Sequence, residues 1–141
     1  MELRYQNLVE MMERCCAEYA DRPMFGTKQG GSYHWMSFRE FAEIVTDLRG
    51  GLTSLGVTEG DSVGVIADNM VPWVTMAYAT YSTGARYIPM YAKQQVDEWK
   101  YILRDSHCKV LLVATESLYR AAESWKGDLP DLEHIVLLTE P

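Results

Sequence analysis

The chain has 141 residues, with 13 lysines and arginines against 20 aspartates and glutamates, so its formal net charge at pH 7 is −7. Hydrophobic residues make up 48% of it and charged residues 23%, the balance of a globular chain that can bury a sizeable core. The acidic excess argues against nucleic acid or an anionic membrane surface as the main partner, because both attract lysine and arginine.

Cysteine usage and hydropathy bear on the cell compartment and on whether the chain spans a membrane. Cys15 and Cys16 are neighbours and Cys108 stands alone, so a disulfide framework is not expected. We interpret them as buried thiols in a reducing compartment, which predicts a cytoplasmic chain. The N-terminus lacks a signal pattern. The longest apolar region, residues 71–91, contains two prolines, a glycine and an arginine, so no membrane span is predicted.

The first elements are predicted to be a helix and a hairpin. Apolar residues at helical spacing indicate an amphipathic helix over residues 7–20, and Pro23 prevents its continuation. Residues 24–28 and 33–36 are two short β segments. A Gln-Gly-Gly-Ser turn joins them, which is typical of a β-hairpin.

A second helix follows the hairpin. Ser37 and Glu40 form a capping box, in which each side chain satisfies a free backbone N–H of the other residue. Gly56 suits the left-handed position after the last turn. Apolar residues repeat every three or four positions between these ends, at Phe38, Phe41, Val45, Leu48, Leu52 and Leu55.

From Asp61 onward, short apolar runs alternate with helical patterns. Strands are predicted at residues 63–67, 87–90, 110–113 and 135–138. Helices are predicted at residues 72–83, 96–104 and 118–125. Asp68 or Asn69 is expected to cap the first of these helices, with Pro72 in its first turn and Gly84 after its end.

This order predicts an α/β fold: a mostly parallel sheet with helices on both faces, preceded by a short β-hairpin. We expect one domain over residues 1–141, the N-terminal piece of a longer protein. Parallel sheets bind ligands beyond the carboxyl ends of their strands. The loops to consider are therefore residues 68–71, 91–95 and 115–117, and the region after Leu138.

No motif for phosphate or dinucleotide binding is present. Neither G-x-G-x-x-G nor G-x-x-x-x-G-K-[ST] occurs, and no G-x-S-x-G nucleophile motif occurs. The glycine-rich residues 26–31 lie between two β segments and predict a hairpin turn.

Individual polar and aromatic residues have structural interpretations. His34, His107 and His134 lack metal-ligand spacing, and surface or capping roles are expected. Asp97 and Glu98 are interpreted as helix-start residues and not as an acid–base pair. Trp73, Trp99 and Trp125 are expected in the core, although Trp99 could line a pocket. The residues by themselves assign no catalytic, cofactor-binding or metal-binding position.

An ordered series of small motifs carries a family resemblance. In chain order it reads Asp21-Arg22-Pro23; Tyr33-x-Trp35-x-Ser37-Phe38-x-Glu40-Phe41; Leu55-Gly56-Val57-x-x-Gly60-Asp61-x-Val63; Asn69-x-x-x-Trp73; Gly84-Ala85 with Pro89; and Tyr101-Ile102-Leu103-x-Asp105-Ser106 with Lys109-Val110-Leu111. Together these resemble the N-terminal region of the adenylate-forming acyl-CoA synthetases, from about Asn7 to Leu138. Pro89-Met90-Tyr91, followed by Gln94-Gln95 and Trp99, most resembles the branch that acts on long-chain fatty acids.

The resemblance implies a parent ligase that uses ATP, Mg²⁺ and coenzyme A. It would convert a fatty acid to an acyl-adenylate and pyrophosphate, and then to acyl-CoA and AMP. The family's catalytic and nucleotide-binding motifs are expected beyond Pro141, so no such residue is assigned here. The fragment is expected to be inactive, to hold no cofactor, to pack against the missing C-terminal part of its own protein, and to self-associate alone.

Two other interpretations remain open. A stand-alone, non-catalytic α/β interaction or regulatory module would keep the scaffold without its chemistry. An unrelated nucleotide-binding α/β domain would require binding without the glycine fingerprint.

Overall fold

The computed structural model describes residues 4–138. Helix α1 (Leu8–Glu18) precedes a hairpin of β1 (Pro23–Gln29) and β2 (Ser32–Ser37), and helix α2 (Phe38–Ser54) follows it. Strands and helices then alternate as β3 (Ser62–Ile66), α3 (Val71–Ser82), β4 (Arg86–Met90), α4 (Val96–Asp105), β5 (Cys108–Val113), α5 (Glu116–Glu123) and β6 (His134–Leu137). A 3₁₀ turn at Lys126–Asp128 lies between α5 and β6.

The last four strands form one parallel sheet in the order β4-β3-β5-β6. Val65 of β3 pairs with Pro89 of β4 on one side and with Leu112 of β5 on the other. The hairpin is a separate antiparallel pair. The predicted α/β fold, with its parallel sheet and preceding hairpin, is confirmed. Among residues 4–138, none of the helices combines the length and the hydrophobicity that crossing a bilayer requires.

The sheet has an apolar layer on each face, because neighbouring residues of a strand point to opposite sides. One layer packs the sheet against α1, α2 and α3, and the other packs it against α4 and α5. The strands contribute Val63, Val65, Val110 and Leu112 to the first layer. They contribute Ile66, Leu111 and Val113 to the second.

The capping box of α2 and the glycines that follow α2 and α3 act as predicted. Glu40 N–H donates to Ser37 Oγ at 3.2 Å, and Ser37 N–H donates to Glu40 Oε2 at 2.7 Å, which completes the capping box. Gly56 and Gly84, after the two helices, have φ angles of 78° and 77°, in the left-handed region that glycine tolerates.

The predicted cap of α3 is wrong. Its N-cap is Met70, and neither Asp68 nor Asn69 occupies that position. A capping side chain accepts from the second or third helical N–H. Here the second residue is Pro72, which has no N–H, and the third, Trp73, donates its N–H to Met70 O at 3.1 Å. Neither the second nor the third helical N–H is therefore available to an Asp or Asn side chain.

Helix α5 and strand β6 also differ from the predictions. Helix α5 ends at Glu123, so Trp125 lies outside it, at the start of the 3₁₀ turn. Its side chain is nonetheless buried and lies 5.9 Å from the Trp99 ring, as expected of a core residue. Strand β6 is half-buried along its length, because it lies at the edge of the sheet.

Candidate functional site

The carboxyl ends of the parallel strands bring three of the predicted loops to one edge of the sheet. Strand order reverses between β3 and β5, and the helices after them, α3 and α5, pack on opposite faces. In such sheets this position forms a ligand crevice. Here Ala114 N–H donates to Ile66 O at 3.1 Å, which joins the two loops directly. The fourth predicted location, after Leu138, lies outside the described residues.

The loop after β4 is held by its own polar groups. Tyr91 N–H donates to the Gln94 side-chain oxygen at 3.0 Å, and Trp99 Nε1 donates to Tyr91 O at 2.9 Å. The Trp99 ring is buried, so it anchors this loop as part of the core. Glu98 Oε2 accepts from Gln95 N–H at 3.1 Å, which confirms its predicted place at the helix start.

The loop after β5 uses its hydroxyl groups to begin α5. Thr115 Oγ1 accepts from Leu118 N–H at 3.2 Å and lies 3.0 Å from Ser117 Oγ. Both hydroxyls therefore already have partners within the chain. Neither hydrogen bond involves a basic side chain that could activate it as a nucleophile.

The three histidines lie in three separate parts of the fold. His34 is exposed on β2, and His134 is half-buried on β6. His107 follows α4 in a left-handed conformation, with φ of 51°, and donates its N–H to Arg104 O, as expected of a capping position. Within residues 4–138, no three side chains of His, Cys, Asp or Glu are grouped closely enough to hold a metal ion.

The thiols are packing groups. Cys16 and Cys108 are buried, Cys15 is half-buried, and all three are free. Burial raises the pKa of the Cys108 thiol to about 12. The protonated form therefore prevails at neutral pH, and a protonated thiol is a poor nucleophile.

An open groove lies between the hairpin, α2, the start of α3 and the end of β6, with a volume of about 990 Å³. We call it the α2 groove. Its apolar lining includes Ile44, Leu48, Leu52, Leu55, Val71, Met76, Val136 and Leu138. Three carboxylates, Glu40, Glu43 and Asp47, also line it, whereas none of its described lining residues is a lysine or arginine.

The α2 groove was missed by sequence reasoning. The repeat along α2 placed Leu48 and Leu55 with the core residues, but both are half-buried and line the groove. The available signal was the width of the apolar face. Ile44 widens it beyond the stripe that one packed side of a helix needs.

Comparisons with known proteins agree with the fold and the motif series. Residues 12–140 match the family model described as AMP-binding enzyme. The long-chain-fatty-acid–CoA ligase FadD15 of Mycobacterium bovis is 29% identical over 98 residues, which cover 67% of this chain and 16% of that protein. The long-chain-fatty-acid–CoA ligase ACSBG1 of Rattus norvegicus is 25% identical over 133 residues, 94% of this chain and 18% of that protein.

Solved structures show the same relation. The crystal structure of the anthranilate CoA ligase AuaEII, in complex with anthranoyl-AMP, superposes with a TM-score of 0.85 at 30% identity. The superposition covers 97% of this chain and 26% of that one. The chain thus spans less than a fifth of the two curated relatives and about a quarter of this structural relative.

Proposed function

The chain belongs to the AMP-binding enzyme family, and we propose that it is the N-terminal scaffold segment of a long-chain fatty acid–CoA ligase. The observation that carries this proposal is the match of residues 12–140 to the family model, together with the small share of each relative that the chain covers. The fatty acid substrate class rests on the two curated relatives, which are both named as long-chain-fatty-acid–CoA ligases.

The parent protein would join a fatty acid to coenzyme A at the expense of ATP, through an acyl-adenylate. ATP and Mg²⁺ would supply leaving-group activation, which needs cationic or backbone donors around the phosphates. The loop after β5 does not offer such donors, because the hydroxyls of Thr115 and Ser117 are bonded within it, and the sequence contains no phosphate-binding motif. We therefore place the ATP, Mg²⁺ and coenzyme A sites, and the catalytic residues, outside this segment.

Within that parent, residues 1–141 would form part of one subdomain against which the active-site part packs. The sheet supplies a rigid platform, since both faces of β3 and β5 are covered by helices. We also propose a cytoplasmic location, which the three free thiols support.

The decisive measurement is the gene sequence beyond the codon for Pro141. We expect the reading frame to continue into a Ser/Thr/Gly-rich loop that ends in Pro-Lys-Gly, the family's nucleotide-binding motif. A stop codon at that point would overturn the ligase proposal for this polypeptide.

An ATP–pyrophosphate exchange assay tests the inactivity of the segment itself. We expect no exchange above background with the purified 141-residue chain. We expect exchange, in the presence of fatty acid, with the protein encoded by the whole continued reading frame, which we call the extended product. Exchange by the 141-residue chain alone would contradict the proposal that the catalytic residues lie outside this segment.

A second candidate function is a stand-alone interaction module. The α2 groove favours it, because an open apolar groove can bind a partner without any catalytic residue. A native transcript that ends at Pro141 would support this alternative over the ligase segment.

A further inference from the structure

Part of the apolar surface of α2 is left uncovered by the chain. Phe41, Val45 and Leu52 are buried against the sheet layer. Ile44 and Leu48, on the neighbouring side of the same helix, are only half-buried and face the α2 groove. Exposed apolar area of this kind is unfavourable in water, in proportion to the area exposed. The groove therefore resembles a surface that is normally buried inside a protein.

Strand β6 borders the α2 groove. Within residues 4–138 it pairs with β5 alone, so its other edge carries free backbone N–H and C=O groups. Parallel strands are normally covered on both faces, as β3 and β5 are here. The four residues of β6 are all half-buried, and Val136, Leu137 and Leu138 line the groove. The chain thus leaves β6 directly beside the uncovered surface.

Charge restricts what can occupy the groove. Glu40 accepts hydrogen bonds from Ser37, which lower the pKa of its carboxyl, so it is ionised at neutral pH. Glu43 and Asp47 lie one turn apart on α2, and neither forms an ion pair with any described residue. A second copy docked groove to groove would bring the same carboxylates face to face, which is unfavourable. A segment that carries lysine or arginine would complement them.

We propose that the α2 groove receives a later segment of the same polypeptide, an amphipathic segment whose apolar side fills the groove and whose basic residues pair with Glu43 and Asp47. This inference rests on the proposed function, because the occupant belongs to the part of the ligase that follows Pro141. The length of the curated relatives supports it, since this chain covers only 16% and 18% of them.

Thiol labelling tests whether the groove is covered. Ser54 lines the groove at the end of α2, and its hydroxyl donates to Gly51 O at 2.7 Å. Ser124 is a matched control at the end of α5, where its hydroxyl donates to Ala121 O at 2.6 Å. Both are exposed. Ser54→Cys and Ser124→Cys would be labelled in the 141-residue chain and in the extended product, with sites assigned by peptide mass.

We expect Ser54→Cys to react at least about tenfold more slowly in the extended product than in the 141-residue chain, because labelling then requires local opening. Ser124→Cys should change much less. Equal rates for Ser54→Cys in the two proteins, or equal protection of both cysteines, would overturn the inference. A stop codon after Pro141 would also overturn it.

Acyl-CoA synthesis measured on the same extended product separates the two proposals. Ligase activity without protection of Ser54→Cys would refute the inference and leave the proposed function standing. Protection of Ser54→Cys without ligase activity would support a later segment in the groove and would refute the proposed ligase activity.

A charge-neutralised pair tests the chemistry of the occupant. In the extended product, Glu43→Gln with Asp47→Asn should raise the labelling rate of Ser54→Cys at least about threefold, because partly buried basic groups would lose their partners. Asp97→Asn with Asp105→Asn on α4 changes the net charge by the same amount away from the groove, and should leave the rate unchanged. No difference between the two pairs would refute the basic character of the occupant.

Discussion

Lys109 joins three parts of the chain that are far apart in sequence. Its Nζ donates to Gly56 O at 2.7 Å, just after α2, and lies 3.2 Å from Asp61 Oδ2, just before β3. Asp61 Oδ2 also accepts from Thr58 N–H at 2.8 Å. Lys109 itself belongs to β5, so one side chain ties the helix end and the loop to the sheet.

Removing this cation is expected to destabilise the fold. In Lys109→Gln the carbonyl of Gly56 and the carboxylate of Asp61 lose a charged donor, which should lower the free energy of unfolding by about 1–3 kcal/mol. Urea unfolding followed by circular dichroism measures the loss. Lys93→Gln is the control, because Lys93 is exposed and its change should stay within about 0.5 kcal/mol. Equal losses in the two variants would contradict the role of Lys109.

Asp61 gives this contact a pH dependence. Hydrogen bonds from Thr58 and the nearby Lys109 ammonium lower the pKa of its carboxyl below the usual 3.8. A lowered native pKa stabilises the fold above the unfolded-state pKa, and this stabilisation is lost as pH falls through the native value. The stability difference between the wild type and Asp61→Asn should therefore be constant near neutrality and shrink below about pH 4. Urea midpoints from pH 7 to pH 3 test this, and a difference that does not change with pH would contradict it.

At the scale of elements, the approach of α4 to the sheet depends on a glycine in β3. A Cβ at Gly64 would lie 3.0 Å from Cys108 Sγ, 3.1 Å from Leu103 Cδ2 and 3.2 Å from Met90 Cε. These side chains come from β5, α4 and β4, so three elements converge on one position of the central strand. All three residues are buried, which leaves them little room to move.

Gly64→Ala is therefore expected to overpack this contact and to lower the free energy of unfolding by about 1–3 kcal/mol. Gly50→Ala is the matched control, since Gly50 lies inside α2 and a Cβ there would meet nothing within 4 Å. It should instead raise the stability by up to about 1 kcal/mol, because alanine favours helix more than glycine does. Thermal or urea unfolding of both variants tests the pair. Equal effects would show that space at Gly64 does not limit the packing of α4.

In the molecule as a whole, an uncovered apolar groove and an unpaired strand edge lie side by side. The α2 groove is apolar and open, and the outer edge of β6 is unpaired within the described residues. Both are features through which proteins associate. The net charge of −7 and the carboxylates of the groove oppose contact between identical copies. The isolated chain should therefore show a balance between apolar attraction and charge repulsion.

We predict that the 141-residue chain self-associates as its concentration rises, and more strongly at higher salt, because screening weakens repulsion between exposed charges. Light scattering over a concentration series, at low and high salt, measures this. Leu48→Gln, in the groove, should reduce association, whereas Leu8→Gln, exposed on α1, should not. A monodisperse monomer at high concentration and high salt would contradict the prediction.

Much of the fold could be predicted from local patterns. The capping box at Ser37, the hairpin turn, the buried runs of β3 and β5 and the glycine after α2 all lie where periodicity and turn chemistry place them. The cap of α3 could not be predicted, because Pro72 removes one N–H and Met70 satisfies another through its own carbonyl. Residue type shows that Asp68 and Asn69 can cap a helix, but not that the two N–H groups which a cap would use are missing at Pro72 and already bonded at Trp73.

The elements, the α/β class and the family could all be predicted from local patterns, because helical and strand periods are local and the family motifs follow one another along the chain. The strand order, the Lys109 contact and the α2 groove emerge only in the folded chain. Each depends on residues far apart in sequence that packing brings together: Asp61 and Lys109 are 48 positions apart, and α2 and β6 lie in opposite halves of the chain. Local propensity does not indicate which apolar faces will pack together, because the free energy gained by burial depends on the area buried and not on which faces meet.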